Sequence, residues 1–277
     1  MDFVIGPKGD HTWGELKNVG RTGTLLTKIT VGNAIAAQIS YKPMSDPTVY
    51  KKGSTDVPAP ANSVDLQIPQ QVVSQYLRDD GLGGTYRTTY FYERMRVDTA
   101  GRGMLGFAKV TTVDAETDFT TVVQYNQTFP NIGEPALTEE RAPNGKVVKS
   151  TTSETTRYNA GGVYKLLRST VTENTYDGNS GAFMAETITE TEYDNLNPAN
   201  GNATKIVSTV RQAGGATFTT TTDNVYTDNV AKWFLGRLTY STVTKTGYGD
   251  QETRKSSFEY DNVTGVLTKE SIAPDNN

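Results

Sequence analysis

The stretch STVTENTYDGNSGAFMAETITETEYDN, residues 169–195, decides how the rest of the chain reads. Before Tyr176, and again before Tyr193, β-branched or aromatic residues alternate with polar ones. Period two is the pattern of a strand with one packed face and one wet face. Between the two runs stands Asp177-Gly178-Asn179-Ser180-Gly181, whose glycines and Asn/Asp residues supply the positive φ angles of a hairpin turn. The same alternation continues outward through TTSETTRYNA (151–160), KIVSTVRQAG (205–214), TFTTTTDNVY (217–226) and RLTYSTVTKT (237–246). Ala213-Gly214-Gly215 and Gly247-Tyr248-Gly249-Asp250 mark further turns. The expected fold is all-β, a meander of antiparallel β-hairpins running from about residue 147 to 272.

A loose repeat overlies this pattern. Tyr-Asp occurs at Tyr176-Asp177, Tyr193-Asp194 and Tyr260-Asp261, with Tyr226-Thr227-Asp228 as a variant. Tyr193 to Tyr226 is 33 residues and Tyr226 to Tyr260 is 34. Each tyrosine ends a strand, and the acid opens a turn. One hairpin per unit lets neighbouring units lay their apolar faces together into one sheet. Helix is scarce: TDNVAKWFLG predicts a short helix capped by Asp228 and ended by Gly236. Within it Trp233, Phe234 and Leu235 read as a buried anchor between hairpins. QQVVSQYL and TYRTTYFYER read as two strands joined through GLGG. Two Pro-bearing stretches, 43–63 and 128–146, read as long connections. They divide the chain into 1–69, a lead-in segment; 70–145, a hairpin region; and 146–277, the Tyr-Asp hairpin repeats.

Composition narrows the function. The net charge of −4 leaves no basic footprint for nucleic acid or anionic membrane, and no segment approaches the apolar length of a membrane span. The N-terminus carries no signal-peptide pattern. Without cysteine there is no disulfide, thiol nucleophile or Cys-based metal site. A hydrophobic fraction of 35% is thin for one compact core and suits a sheet with much solvated surface.

Gly101-Arg102-Gly103-Met104-Leu105-Gly106 spells GxGxxG, the dinucleotide-binding string. That loop needs a strand before it and a helix after it. MRVDTA precedes it and strand-like FAKVTTVDAETDFTTVVQY follows, so a turn leading into a sheet is the reading, with no cofactor. His11, the single histidine, has no partner for a triad or zinc site. Asp114, Glu116 and Asp118 sit at alternate positions, but lack the glycine and distal Glu of a calcium loop and read as a solvated turn. The acid pairs Asp79-Asp80 and Glu139-Glu140 leave a glycosidase as the enzymatic alternative. Tyr90 and Tyr92, on one strand face, are the candidate contacts for a glycan, though ordinary sheet packing explains them as well.

Residues 80–135 resemble a signature block in the middle region of Tc insecticidal-toxin B components and SpvB-like proteins. The matching elements are Gly101, Arg102, Gly103, Gly106 and Phe107, then Tyr125, Gln127, Phe129, Pro130 and Gly133. GTLLTKITVGNAIAAQISYKP (23–43) is similar to the segment where that family's chain leaves a propeller. KWFLGRLTYSTVTKT, with Trp233, and SFEYDNVTGVLTKESIAP, with Tyr260 and Asp261, are similar to its passage into Rhs/YD repeats. The resemblance implies a non-enzymatic piece of a β-sheet shell that encloses a C-terminal toxin for delivery. It implies no cofactor or metal, other segments of the same toxin as partners, and a secreted complex acting in virulence. The chain shows no self-cleaving core motif, no variable toxin tail and no ADP-ribosyltransferase-like segment, so a piece of a longer polypeptide is expected. A glycan-binding surface adhesin is the alternative function.

Overall fold

The computed structural model describes residues 3–5, 14–16, 25–31, 34–54, 56–160, 162–194 and 201–274. β1 (Phe3–Ile5) and β2 (Gly14–Leu16) form a separate antiparallel pair. One continuous sheet holds the rest. Its first strands are β3 (Lys28–Val31), β4 (Ala34–Pro43), β5 (Tyr50–Lys51), β6 (Ser63–Leu66), β7 (Gln71–Asp79), β8 (Thr85–Asp98), β9 (Gly103–Asp114) and β10 (Thr120–Tyr125). They continue as β11 (Pro135–Arg141), β12 (Val147–Ala160), β13 (Val163–Tyr176), β14 (Phe183–Tyr193), β15 (Ala203–Gln212), β16 (Thr217–Asn229), β17 (Phe234–Gly247), β18 (Asp250–Tyr260) and β19 (Leu267–Pro274). From β7 to β19 every strand pairs antiparallel with its neighbour in the chain. The hairpin meander expected from the alternation is the fold, including the β7–β8 hairpin across GLGG.

Among the described residues, crossovers occur only near the start. β4 pairs with β7, while β5 and β6 lie along β8, β5 parallel to it and β6 antiparallel. One edge of β8 is thus shared by β7, β5 and β6, and its other edge by β9. The stretch 43–63, expected to be a plain connection, therefore carries the core. Met44, Val49 and Tyr50 are buried against Val72 and Met95, with Leu66, Ile68, Tyr92 and Phe107 packed around them. Three apolar residues dispersed among Pro, Asp and Ser do not register as a core in the sequence.

Beyond this plug the sheet is thin. Most residues of β10 to β19 are half-buried on both faces. The molecule exposes 17717 Å², where a compact monomer of its mass exposes about 11,700 Å².

The hairpin joining β17 and β18 has the two-residue loop Tyr248-Gly249, with φ of 53° and 88°, the twist that matches flanking strands. Just before it, Gly247 leaves room for the Phe218 ring on β16, where a Cβ would stand 2.6 Å from a ring carbon.

The expected helix contracts to one 3-10 turn, Val230–Lys232. Asn229 Oδ1, rather than Asp228, accepts from the Lys232 amide at 3.1 Å. Asp228 Oδ1 accepts from the Gly236 amide at 2.7 Å. Pairing of Asn229 with Phe234 across the β16–β17 ladder leaves no length for a helix. Trp233 consequently ends the turn in the left-handed region and is 76% exposed, not the buried anchor expected.

Candidate interaction site around the GRGMLGF turn

Asp98 closes β8, and its Oδ1 accepts from the amides of Ala100 (2.7 Å) and Arg102 (3.3 Å). Gly101 and Gly103 carry φ of 103° and 83°, so both positions suit glycine. The string that resembles a dinucleotide loop is the turn between two antiparallel strands. Gly106, at φ 77°, lies in β9 beside a register shift between Arg96 and Val97, and Arg94 on β8 has φ 50°.

Gln127 spans these irregular positions. Its Nε2 donates to the Arg94 carbonyl (3.1 Å) and the Gly106 carbonyl (2.8 Å), and the residue is 4% exposed. Backbone groups that leave a ladder need such a partner when buried. Phe107 faces the core, 4.7 Å from the Tyr92 ring and 6.2 Å from the Tyr50 ring. Arg102 stacks its guanidinium 3.6 Å above the Phe129 ring, and Phe129, joined to Pro130 by a cis peptide, meets Tyr164 edge-on at 5.0 Å. The turn thus touches the β12–β13 hairpin through Phe129. Sequence order put Gly101, Arg102, Gly103, Gly106, Phe107, Gln127, Phe129 and Pro130 in one block, and the fold brings them to one place.

Beside the plug lies a charged layer. Arg94 donates to the carbonyls of Ser54 and Val57, and Arg96 to the Ser63 carbonyl at 3.0 Å. Asp65 Oδ1 lies 3.2 Å from Arg96 Nε and 3.8 Å from Arg94 Nε. Lys109 Nζ lies 2.6 Å from Glu93 Oε1 and 2.7 Å from Asp56 Oδ2. Sequence patterns name none of these residues, whose partners lie 16 to 53 positions away.

Tyr90 and Tyr92 stack at 6.4 Å, and both are half-buried. Burial, then the neighbouring Tyr90, pushes the Tyr92 hydroxyl up to about 12. Tyr92 belongs to the packing around the core. Asp114 Oδ1 accepts from the amides of Glu116 and Thr117, and both Glu116 carboxylate oxygens accept from the Arg87 amide, so these acids hold a turn. Glu139 pairs with Arg141 at 2.5 Å. His11 lies outside the described residues.

The Tyr-Asp positions share one construction. The ladder register shifts at Tyr176, Tyr193, Tyr226 and Tyr260, and also at Tyr41 and Tyr125. At three of them the extra residue on the next strand is a threonine. Thr204, Thr239 and Thr268 donate to the carbonyls of Glu192, Val225 and Glu259, the residue before each tyrosine. The tyrosine hydroxyls reach the preceding unit: Tyr193 donates to Arg168 O, Tyr226 to Ala203 O and Tyr260 to Leu238 O. Ala203 and Leu238 are themselves the pairing partners of Tyr193 and Tyr226, so each unit is fastened to the one before. The acid then shapes the turn. Asp177 Oδ1 accepts from the amides of Asn179 and Ser180, and Asp261 Oδ1 from those of Val263 and Thr264. A glycine with positive φ stands three residues before each of these threonines, at Gly201, Gly236 and Gly265. The signal that the tyrosine spacing alone misses is Gly-x-Ala/Leu-Thr, present as Gly201–Thr204, Gly236–Thr239 and Gly265–Thr268.

These features define an all-β ribbon with one local core and a self-fastening hairpin repeat. Residues 10–133 match the family described as the insecticide toxin TcdB middle/N-terminal region. The fold is similar to the crystal structure of TcdB2-TccC3-Cdc42, with a TM-score of 0.64 and 11% identity, over 85% of this chain and 17% of that one. A porin-like protein from Bacteroides vulgatus aligns at 10% identity over 77% of this chain and 91% of that one, with a TM-score of 0.31. No curated protein matches the sequence. The chain is thus similar to the TcdB middle/N-terminal region in sequence over residues 10–133, and to TcdB2-TccC3-Cdc42 in fold over most of its own length.

Proposed function

We propose that the chain is a wall segment of a Tc-type toxin shell, non-enzymatic, working by enclosure of a toxic polypeptide within a secreted complex. The observation that carries this reading is the surface: a sheet half-buried on both faces, in a molecule exposing 17717 Å², leaves two broad faces for contents on one side and solvent on the other. Small β-branched threonines suit such a wall, because they favour strand without creating large apolar patches. The Rhs/YD-like units extend it, each tyrosine fastening one hairpin to the last. The partners are other segments of the same toxin or, by analogy with the similar structure, a TccC3-type component.

Co-expression with a TccC-type component, followed by cryo-electron microscopy and limited proteolysis, tests this. Hollow particles holding a protease-protected polypeptide are expected. Failure to associate, or association that leaves the second polypeptide as protease-sensitive as before, would overturn the reading.

A further inference from the structure

Lys109 on β9 stands directly opposite Glu93 on β8, and its Nζ lies 2.6 Å from Glu93 Oε1 and 2.7 Å from Asp56 Oδ2. The Lys109 and Glu93 side chains are 13% and 9% exposed, while that of Asp56 is 51% exposed. Two carboxylates thus share one amine in a site closed on the sheet side and open on the loop side. The next pair in the same ladder, Met95 with Phe107, adds an apolar flank. Asp56 lies on the loop between β5 and β6, 53 residues from Lys109 in sequence.

We propose that Lys109 and Asp56 form an intramolecular isopeptide bond, with Glu93 as the proton carrier that assists it. A 2.7 Å Nζ–Oδ2 contact puts the amine within attacking reach of the Asp56 carboxyl carbon. Burial works against the Lys109 ammonium, but hydrogen bonds and charge from Asp56 and Glu93 raise its pKa overall, so the reactive neutral form is the minor one, reached when the ammonium gives one proton, through Glu93, to the Asp56 carboxylate. The neutral Nζ attacks Cγ of the resulting carboxylic acid and a C–N bond forms. Glu93 moves a proton from that nitrogen to a hydroxyl of the tetrahedral carbon, the C–O bond breaks, and water leaves on the exposed Asp56 side. The sum is ammonium plus carboxylate to amide plus water, with no redox change and no external reagent. The bond would close the loop that follows Tyr50 onto the central ladder and pin the core plug covalently.

Mass spectrometry of the whole folded chain, denatured after prolonged incubation at neutral pH, tests the inference. The expected mass is lower than the sequence mass by one water, with a branched peptide joining the segments of Asp56 and Lys109. Lys109→Arg and Glu93→Gln should return the full mass for their sequences while the circular dichroism of the sheet is kept. Asp56→Asn supplies an independent check, since its condensation releases ammonia instead of water. A folded wild-type chain that keeps its full sequence mass overturns the proposal and leaves the trio as an ion-paired cluster. So does a mass loss that persists in Lys109→Arg.

Discussion

Gln127 shows what one side chain does in this molecule. Its amide is the hydrogen-bond partner of two carbonyls at the irregular part of the β8–β9 ladder, and it is nearly fully buried. Gln127→Leu keeps much of the volume but strands both carbonyls, at a cost of about 2–4 kcal/mol. A urea melt of the purified chain measures it; a loss below half a kcal/mol would mean that water replaces the amide. Tyr260→Phe removes only a hydroxyl that donates to Leu238 O at 2.9 Å, so about 1 kcal/mol is expected, with hydrogen exchange accelerated at the β17–β18 hairpin rather than at the core. The sequence names both residues within motifs without revealing their partners. Gln127 bonds lie 21 and 33 residues away, and the Tyr260 bond 22. Trp233 was misread because a large aromatic in an apolar run usually packs, whereas the tight β16–β17 turn leaves it no neighbouring layer.

At the scale of the hairpin, the turns depend on ionised aspartates. Hydrogen bonds from Thr48 hold Asp46 at about 2, and bonds from turn amides and hydroxyls lower Asp114, Asp177 and Asp261. A carboxyl lowered in the folded state stabilises above its unfolded value of 3.8 and loses that contribution as pH falls through its folded value. The thermal midpoint is therefore expected to hold from neutral pH down to that value and to drop between it and about 2. Asp261→Asn, which keeps the acceptor oxygen but cannot titrate, should flatten this acid limb; an unchanged limb would show that the turn carboxylates do not drive it. The hairpins themselves were legible from period two and turn residues. The bulge opposite Tyr193, Tyr226 and Tyr260 was not legible from the tyrosine spacing, since its extra residue sits on the facing strand, where Gly-x-Ala/Leu-Thr marks it.

Across the whole molecule, surface area separates this ribbon from an ordinary domain of equal length. A denaturant slope follows the area exposed on unfolding. The excess surface of the folded chain thus predicts a urea m-value well below that of a compact 277-residue protein. Equilibrium melts read it directly, and a slope typical of a compact domain would mean that the ribbon folds back on itself in solution. The amino-acid sequence by itself determined the all-β class, the hairpin order and the position of most turns, because alternation and turn chemistry act over a few neighbouring residues. It also determined the family-like block around Gly101 to Pro130. Tertiary structure alone decided that the 43–63 stretch is the core plug, that Arg102 stacks on Phe129, and that Lys109 meets Glu93 and Asp56. Those contacts join residues from different strands and loops, and their energy comes from burial and charge shared across the fold, which no local pattern records.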